Sequence, residues 1–346
     1  MTFDIGDKTI NENLVKNIKK IFSSSNINFL IGSGCSRPAL QPLGDVEANI
    51  QALFEAGNDT EAREELAKFA YPIIENSSIL TSKTAFLSAD DFITIDNYST
   101  FLRSISDILQ HRSSGILTKR ANIFTTNYDL YIEKASEYLS PSTCFNDGFS
   151  RNSSVFMRYK YSPNTFFHSV YNNGNLYNYQ VQLPYINLIK IHGSSNWIVE
   201  NGEIYQSTEY FDSAKNAYKT SQYDDFLKYI PFVLPTKDKF SETTLKQIYY
   251  DLLRIYSNEL DKENTILIAI GFSFADEHIL ELTKRALRNP TLKLIVFCYD
   301  EDGKDKLEEI FKQFQNVNLV YSSTTSLDFS FVNKLLYSLT EVFDNE

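Results

Sequence analysis

Apolar residues along the chain follow two periodicities. Solid short runs at Asn26 to Ile31, Tyr185 to Ile191, Thr265 to Ile270, Leu292 to Cys298 and Val317 to Tyr321 predict strands buried on both faces; Ile123 and Phe124 end another. Pro231 to Pro235 reads as a further short strand. Between these runs the spacing turns helical. Ile10, Leu14, Ile18, Ile21 and Phe22 share one face of a helix over Thr9 to Phe22, with Thr9 and Glu12 at capping-box spacing. Leu245, Ile248, Leu252, Ile255 and Tyr256 stripe a helix over Glu242 to Leu260. Another helix runs to Phe314, and Val332, Leu335, Leu336 and Leu339 mark a last one. Strands alternating with helices predict an α/β fold around a parallel sheet.

Two stretches depart from that alternation. Asp45 to Tyr71 is helical and polar-faced, Pro72 interrupts it, Asn76 to Asp90 is less regular, and Phe92 to Ile108 resumes a helix. This block reads as an insertion rather than a simple crossover. Asn146 to Gln180 interleaves asparagines with tyrosines and reads as long loops, with one strand at Val155 to Lys160. A long loop beside a site is either a lid or a surface excursion. His168, within it, reads as a surface histidine, and His278 as a structural one in a later helix.

Composition narrows the function classes. With 346 residues the chain can bury a large core, and 42% hydrophobic with 22% charged residues is ordinary for a soluble protein. A formal net charge of −11 argues against a broad nucleic-acid footprint. No apolar run approaches the ~20 residues that span a membrane. The N-terminus lacks the basic start and apolar stretch of a signal peptide. Cys35, Cys144 and Cys298 lie far apart with no Cys-x-x-Cys pair, so neither a zinc site nor a disulfide framework is expected, and a reducing cytoplasm is the default.

The candidate chemistry sits where strands end. Asn26 to Ile31 runs into Gly32-Ser33-Gly34-Cys35-Ser36-Arg37, a Gly-x-Gly turn that either lets backbone amides approach a diphosphate or is a plain glycine turn. Arg37 stands where the third glycine of a dinucleotide fingerprint would be. Thr125-Thr126-Asn127-Tyr128-Asp129 follows the strand ending at Phe124; Asn127 either caps a helix from Tyr128 to Tyr138 or faces a ligand. His192-Gly193-Ser194 follows the strand at Ile191, and of four histidines His192 is the one placed for acid–base work, although a hydrogen-bonded structural role competes. Trp197 reads as packing. Gly271-Phe272-Ser273-Phe274-Ala275-Asp276 is a second glycine turn into a helix, with Ser273 and Asp276 at capping-box spacing. In a parallel sheet all four turns share one edge and can converge on one crevice.

In their order, Gly-Ser-Gly-Cys-Ser (32–36), Thr-Thr-Asn-Tyr-Asp (125–129), Lys-Ile-His-Gly-Ser (190–194) and Gly-Phe-Ser-Phe-Ala-Asp (271–276) resemble the sirtuin-like family, in its bacterial SIR2-like branch. The segments between them match nothing obvious, and the zinc ribbon of the protein deacylases is missing. The resemblance implies one SIR2-like domain over 1–346: a Rossmann-like core from 1–45, 119–138 and 184–346, a helical insertion at 46–118, and a loop or lid region at 139–183 over the cleft. It implies cleavage of NAD at the nicotinamide–ribose bond, without metal, by an effector of antiviral defence. Asn127 would orient the ribose and a water, and His192 would act as general base. Gly32, Ser33, Gly34, Cys35 and Ser36 would surround the diphosphate, and Thr126 and Asp129 the ribose. Gly193, Gly271, Phe272 and Ser273 would line the remaining sides, with Tyr299 or Asp300 bordering the adenosine; Asp45 and Arg37 are weaker candidates.

Three functions stay open on these residues. They are NAD hydrolysis, NAD-dependent deacylation or ADP-ribosyl transfer, and a sensor that holds NAD or ADP-ribose without cleaving it. Because an enzyme that drains NAD needs control, a homo-oligomer gated by a partner such as a HerA-type ATPase is expected. The helical block and the apolar faces of the first and last helices are the expected contact surfaces.

Overall fold

The computed structural model describes residues 2–5, 19–41, 46–112, 117–151, 159–173, 180–230 and 243–344. Its centre is an eight-stranded sheet: β1 (Thr2–Asp4), β2 (Asn26–Ile31), β3 (Arg120–Thr125), β4 (Cys144–Asn146), β5 (Tyr185–Lys190), β6 (Thr265–Ile270), β7 (Leu292–Phe297) and β8 (Val317–Tyr321). The spatial order is β1-β8-β7-β6-β2-β3-β5-β4, and every neighbouring pair is parallel. The strands are almost wholly buried because helices cover both faces. Ile27, Phe29 and Ile31 of β2 point into one apolar layer and Leu30 into the other.

The helices are α1 (Val46–Glu55), α2 (Asp59–Thr81), α3 (Ala89–Gln110), α4 (Tyr131–Ser136), α5 (Phe211–Lys219), α6 (Tyr223–Lys228), α7 (Thr243–Leu260), α8 (Glu277–Ala286), α9 (Glu301–Phe311) and α10 (Phe329–Asp344). α3 and α10 supply one layer; α7, α8 and α9 supply the other. The chain winds outward from β2 through β3 to β5, then returns on the other side of β2 with β6, β7 and β8. The winding direction therefore reverses between β2 and β6, and a doubly wound, Rossmann-like sheet opens its ligand crevice at the carboxyl ends of such strands.

Several sequence expectations need correction. The helix over Asp45 to Tyr71 is two helices, because Gly57 takes a left-handed φ of 78° and ends α1. Pro72 does not interrupt α2. Interior proline costs about 3 kcal/mol, but Ala67, Ala70, Ile73 and Ile74 on either side of it are buried with Phe211, Ala214, Ala217 and Phe226 of α5 and α6. α3 starts before Phe92, at a capping box formed by Ser88 and Asp91. It lies on the sheet as the crossover to β3, so within this block α1 and α2 are the peripheral part.

The apolar face of the last helix is covered within the chain, since Val332, Leu335, Leu336 and Leu339 are buried in the layer shared with α3. Lys160–Tyr161 joins a small antiparallel sheet with 149–150, 197–200 and 203–206, where Phe149, Tyr161 and Trp197 pack together. Most of the expected strand from Val155, the strand from Pro231 to Pro235, the Thr9 capping box and Asp45 lie outside the described residues, as does most of the first helix. His168 is exposed as expected; His278 is exposed too, on α8, with its ring edge-on to Tyr249 at 6.4 Å between centroids. Among the described residues no helix is long and apolar enough to cross a membrane, and no group of three or more His, Cys, Asp or Glu could hold a metal ion.

Candidate functional site

Four turns leave the carboxyl edge of the sheet, and hydrogen bonds or ring contacts tie them to one another. The turn after β3 decides the role of Asn127. Helix α4 begins at Tyr131 with Leu130 as its N-cap and no side-chain cap, so Asn127 caps nothing. Its Nδ2 instead donates to the Gly32 carbonyl at 3.1 Å and to Ser36 Oγ at 3.3 Å, and its backbone amide donates to Thr125 Oγ1 at 3.0 Å. Asp129 fixes the direction of this network. Its Oδ1 accepts the Tyr131 amide at 3.2 Å and its Oδ2 accepts the Ser36 hydroxyl at 2.8 Å. Ser36 has one proton, so it accepts from Asn127 and from the Tyr98 hydroxyl 3.1 Å away. Burial raises the Tyr98 pKa well above the usual phenol value, which keeps it a donor. Asn127 thus turns its NH₂ toward the glycine turn and is left with Oδ1 as its other polar atom.

The turn after β5 carries His192, held by Gly193 at a φ of 86° that a side chain would strain. The imidazole lies between two tyrosines, Tyr128 at 6.4 Å and Tyr249 at 5.7 Å between ring centroids. Its Nε2 is 3.0 Å from Asp276 Oδ2, yet it makes no aligned hydrogen bond, so the contact is an electrostatic approach of ring to carboxylate. Beneath the turn, buried Lys190 meets Glu133 Oε1 at 2.8 Å and Ser194 Oγ at 3.0 Å, and donates to the Asp129 carbonyl. Burial raises the Glu133 pKa above its usual value, with Lys190 pulling against it. Ser195 bonds Ser77 Oγ on α2 at 2.7 Å and its amide donates to the Tyr128 carbonyl at 2.9 Å, which seats α2 on this turn.

The two glycine turns cross at backbone distance. A Cβ on Gly32 would lie 2.2 Å from the Gly271 carbonyl oxygen; one on Gly34 would lie 3.0 Å from Gly271 Cα; one on Gly271 would lie 2.8 Å from the Cys35 nitrogen. Gly32 donates to the Ile270 carbonyl at 3.0 Å, Gly34 to the Gly271 carbonyl at 3.1 Å and Cys35 to the Gly32 carbonyl at 3.1 Å. The glycines here serve the crossing of two loops, and these three amides are already engaged. The Cys35 side chain points into the core, with Sγ 3.3 Å from the Ile270 carbonyl; burial raises its pKa far above the usual thiol value.

The site therefore has a floor and a rim. Asn127, Asp129, Ser36, His192 and Gly193 are buried. Ser33, Gly34, Thr126 and Phe272 are half-buried, and Gly271 and Ser273 are exposed. Arg37 is exposed, its guanidinium 5.9 Å from the ring centre of Tyr299, which is itself 49% exposed. Asp300 caps α9 through the Gly303 amide at 2.8 Å. Asp276, not Ser273, is the N-cap of α8, accepting the Ile279 amide at 3.0 Å. A separate groove, lined by Lys20, Ser24, Asn264, Thr291 and Lys293, opens at the opposite edge of the sheet and touches none of the four turns.

Sequence reasoning gave no role to Lys190, Glu133, Tyr98, Tyr249 or the pairing of Asp276 with His192. Lys190 had a signal: the one charged residue in a fully buried strand demands a buried partner. Tyr98 and Tyr249 sit at ordinary helix-face positions, where a core aromatic and a site aromatic look alike.

A family model described as SIR2-like domain matches residues 121–320. No curated protein matches the chain.

Proposed function

Because the chain belongs to the SIR2-like domain family, whose chemistry is NAD-related, we propose that it is an NAD glycohydrolase that splits the nicotinamide–ribose bond. The observation that carries this reading is the joining of the Asn127 and His192 turns, through the Tyr128 ring and the Lys190 ammonium, over a buried polar floor. The reaction has a simple balance. The C1′–N bond breaks and its electron pair leaves with nicotinamide, which becomes neutral. Positive charge grows on the ribose until a water oxygen bonds to C1′ and its proton passes to a base.

Asn127 Oδ1 is a fixed dipole suited to that charge, because its NH₂ is tied back to Gly32 and Ser36. His192 takes the proton. The exposed Arg37 and Tyr299 suit the anionic and aromatic parts of a dinucleotide at the rim. The reading extends, on family resemblance, to a cytoplasmic antiphage effector whose self-assembly and a partner ATPase gate NAD loss.

The test is chromatography of NAD incubated with purified protein, alone and with an acylated peptide. Nicotinamide and ADP-ribose without peptide support hydrolysis. Nicotinamide formed only with peptide points to deacylation, and binding without products points to a sensor.

A further inference from the structure

We propose that Asp276 is a positioning residue that holds the proton of His192 on Nε2, so that His192 accepts its reaction proton at Nδ1. The inference deepens the hydrolase reading and rests on it for its catalytic consequence, though not for the pairing itself. Asp276 has two faces. Oδ1 caps α8 by accepting the Ile279 amide, while Oδ2 lies 3.0 Å from His192 Nε2, and both side chains are close to fully buried. Its place at a helix N-terminus favours the ionised carboxylate.

The contact is close but not aligned as a hydrogen bond, so the preference it sets is electrostatic: an Nε2–H brings a partial positive charge within 3.0 Å of the carboxylate, where an Nε2 lone pair would bring a negative one. The tautomer protonated on Nε2 is the favoured one, and in that neutral ring the basic lone pair belongs to Nδ1. The rings of Tyr128 and Tyr249 flank the imidazole and limit its freedom to escape that arrangement. The cap ties the carboxylate to the turn after β6, while His192 belongs to the turn after β5. The pair thus locks the registry of two turns that come from opposite sides of the point where the sheet reverses direction.

Asp276→Asn is the informative change. Asparagine caps a helix as well as aspartate, so α8 should persist, but its NH₂ can donate to Nε2 and reverse the tautomer. In a Ser-His-Asp triad the same exchange acts through the wrong tautomer. Ring nitrogen shifts of ¹⁵N-histidine-labelled protein report which nitrogen is protonated; with four histidines in the chain, His192→Gln identifies the signal. The expected result is an Nε2–H signal in the native protein, an Nδ1–H signal in Asp276→Asn, and at least about a 100-fold fall in NAD turnover. Asp276→Ser keeps a cap without the amide donor, and it should lose turnover while populating both tautomers.

An Nδ1–H tautomer in the native protein, or one unchanged by Asp276→Asn in a folded variant, overturns the pairing. So does Asp276→Asn turnover equal to the native rate. The predicted tautomers in a protein that never cleaves NAD would sustain the pairing and remove the hydrolase reading instead.

Discussion

Replacing Asp129 by asparagine should disable the site by reversing its hydrogen bonds rather than by emptying it. Asp129 is buried and accepts twice, from the Tyr131 amide at 3.2 Å and from Ser36 Oγ at 2.8 Å. In Asp129→Asn the oxygen can keep the Tyr131 amide, and the new NH₂ then faces Ser36 and donates to it. The proton of Ser36 must seek another acceptor: the Tyr98 hydroxyl 3.1 Å away, which would have to turn its own proton aside within the core, or the carboxamide of Asn127 at 3.3 Å, which accepts only by flipping. The flip turns NH₂ where Oδ1 had been, presenting a donor to a centre that develops positive charge. Losing one hydrogen bond to a charged group costs about 2 kcal/mol, which for a chain of 346 residues lowers the melting temperature by roughly 3 °C. Misorienting one electrostatic group costs on the order of 10²- to 10³-fold in turnover. Differential scanning calorimetry and NAD consumption, measured on the same preparation, separate the two effects. Turnover within about threefold of native, in a variant with the small melting shift, would refute the directional argument.

Three further outcomes follow from the geometry. Gly32→Ala places a Cβ 2.2 Å from the Gly271 carbonyl oxygen, a backbone clash that no rotamer relieves; urea unfolding should show a loss of about 3 kcal/mol, and an unchanged midpoint would contradict the crossing. A disulfide reagent should titrate Cys144 in the folded protein and reach Cys35 and Cys298 only after unfolding, because those two are buried and Cys144 is half-buried; burial raises all three pKa values, that of Cys298 to about 12; modification of Cys35 at the Cys144 rate would count against it. For Asp91, burial pushes the carboxyl pKa up, but hydrogen bonds from Tyr131, Ser88 and Asn76 outweigh this and lower it. A lowered folded pKa gives stability present above the unfolded value of about 3.9 and lost as pH falls through the folded one, so the stability gap between native protein and Asp91→Asn should narrow between pH 7 and pH 3; a constant gap in denaturant titrations would refute it.

Most of the sheet was readable because both its faces are covered. The solid runs at β2, β5, β6, β7 and β8 admit few other structures. What the runs concealed is polar. Asn28, Asn122 and Asn187 each stand third in their strands, and the parallel register aligns them with Asn146 of β4. Their side chains form a buried ladder at 2.8, 2.8 and 2.9 Å that pins four neighbouring strands. One asparagine in a strand carries no such message; the ladder exists only once the register is known.

The site was legible as four turns at one edge, since strand ends and glycines are local features. Which residues form its floor was not. Ser36 and Asp129 meet across 93 positions of chain, and His192 meets Asp276 across the reversal of the sheet. The reading of Asn127 as a helix cap failed for a local reason: the chain takes three further residues to turn before α4 begins.

The hydrolase reading is tested most directly by quantifying nicotinamide released from NAD by the native protein, Asn127→Ala and His192→Ala at matched folded fraction. The account predicts stoichiometric nicotinamide and ADP-ribose from the native protein and a loss of at least about 100-fold in each variant, with the circular dichroism spectra unchanged. Nicotinamide released at the native rate by either variant, or none from the native protein with any oligomer or partner present, would contradict it.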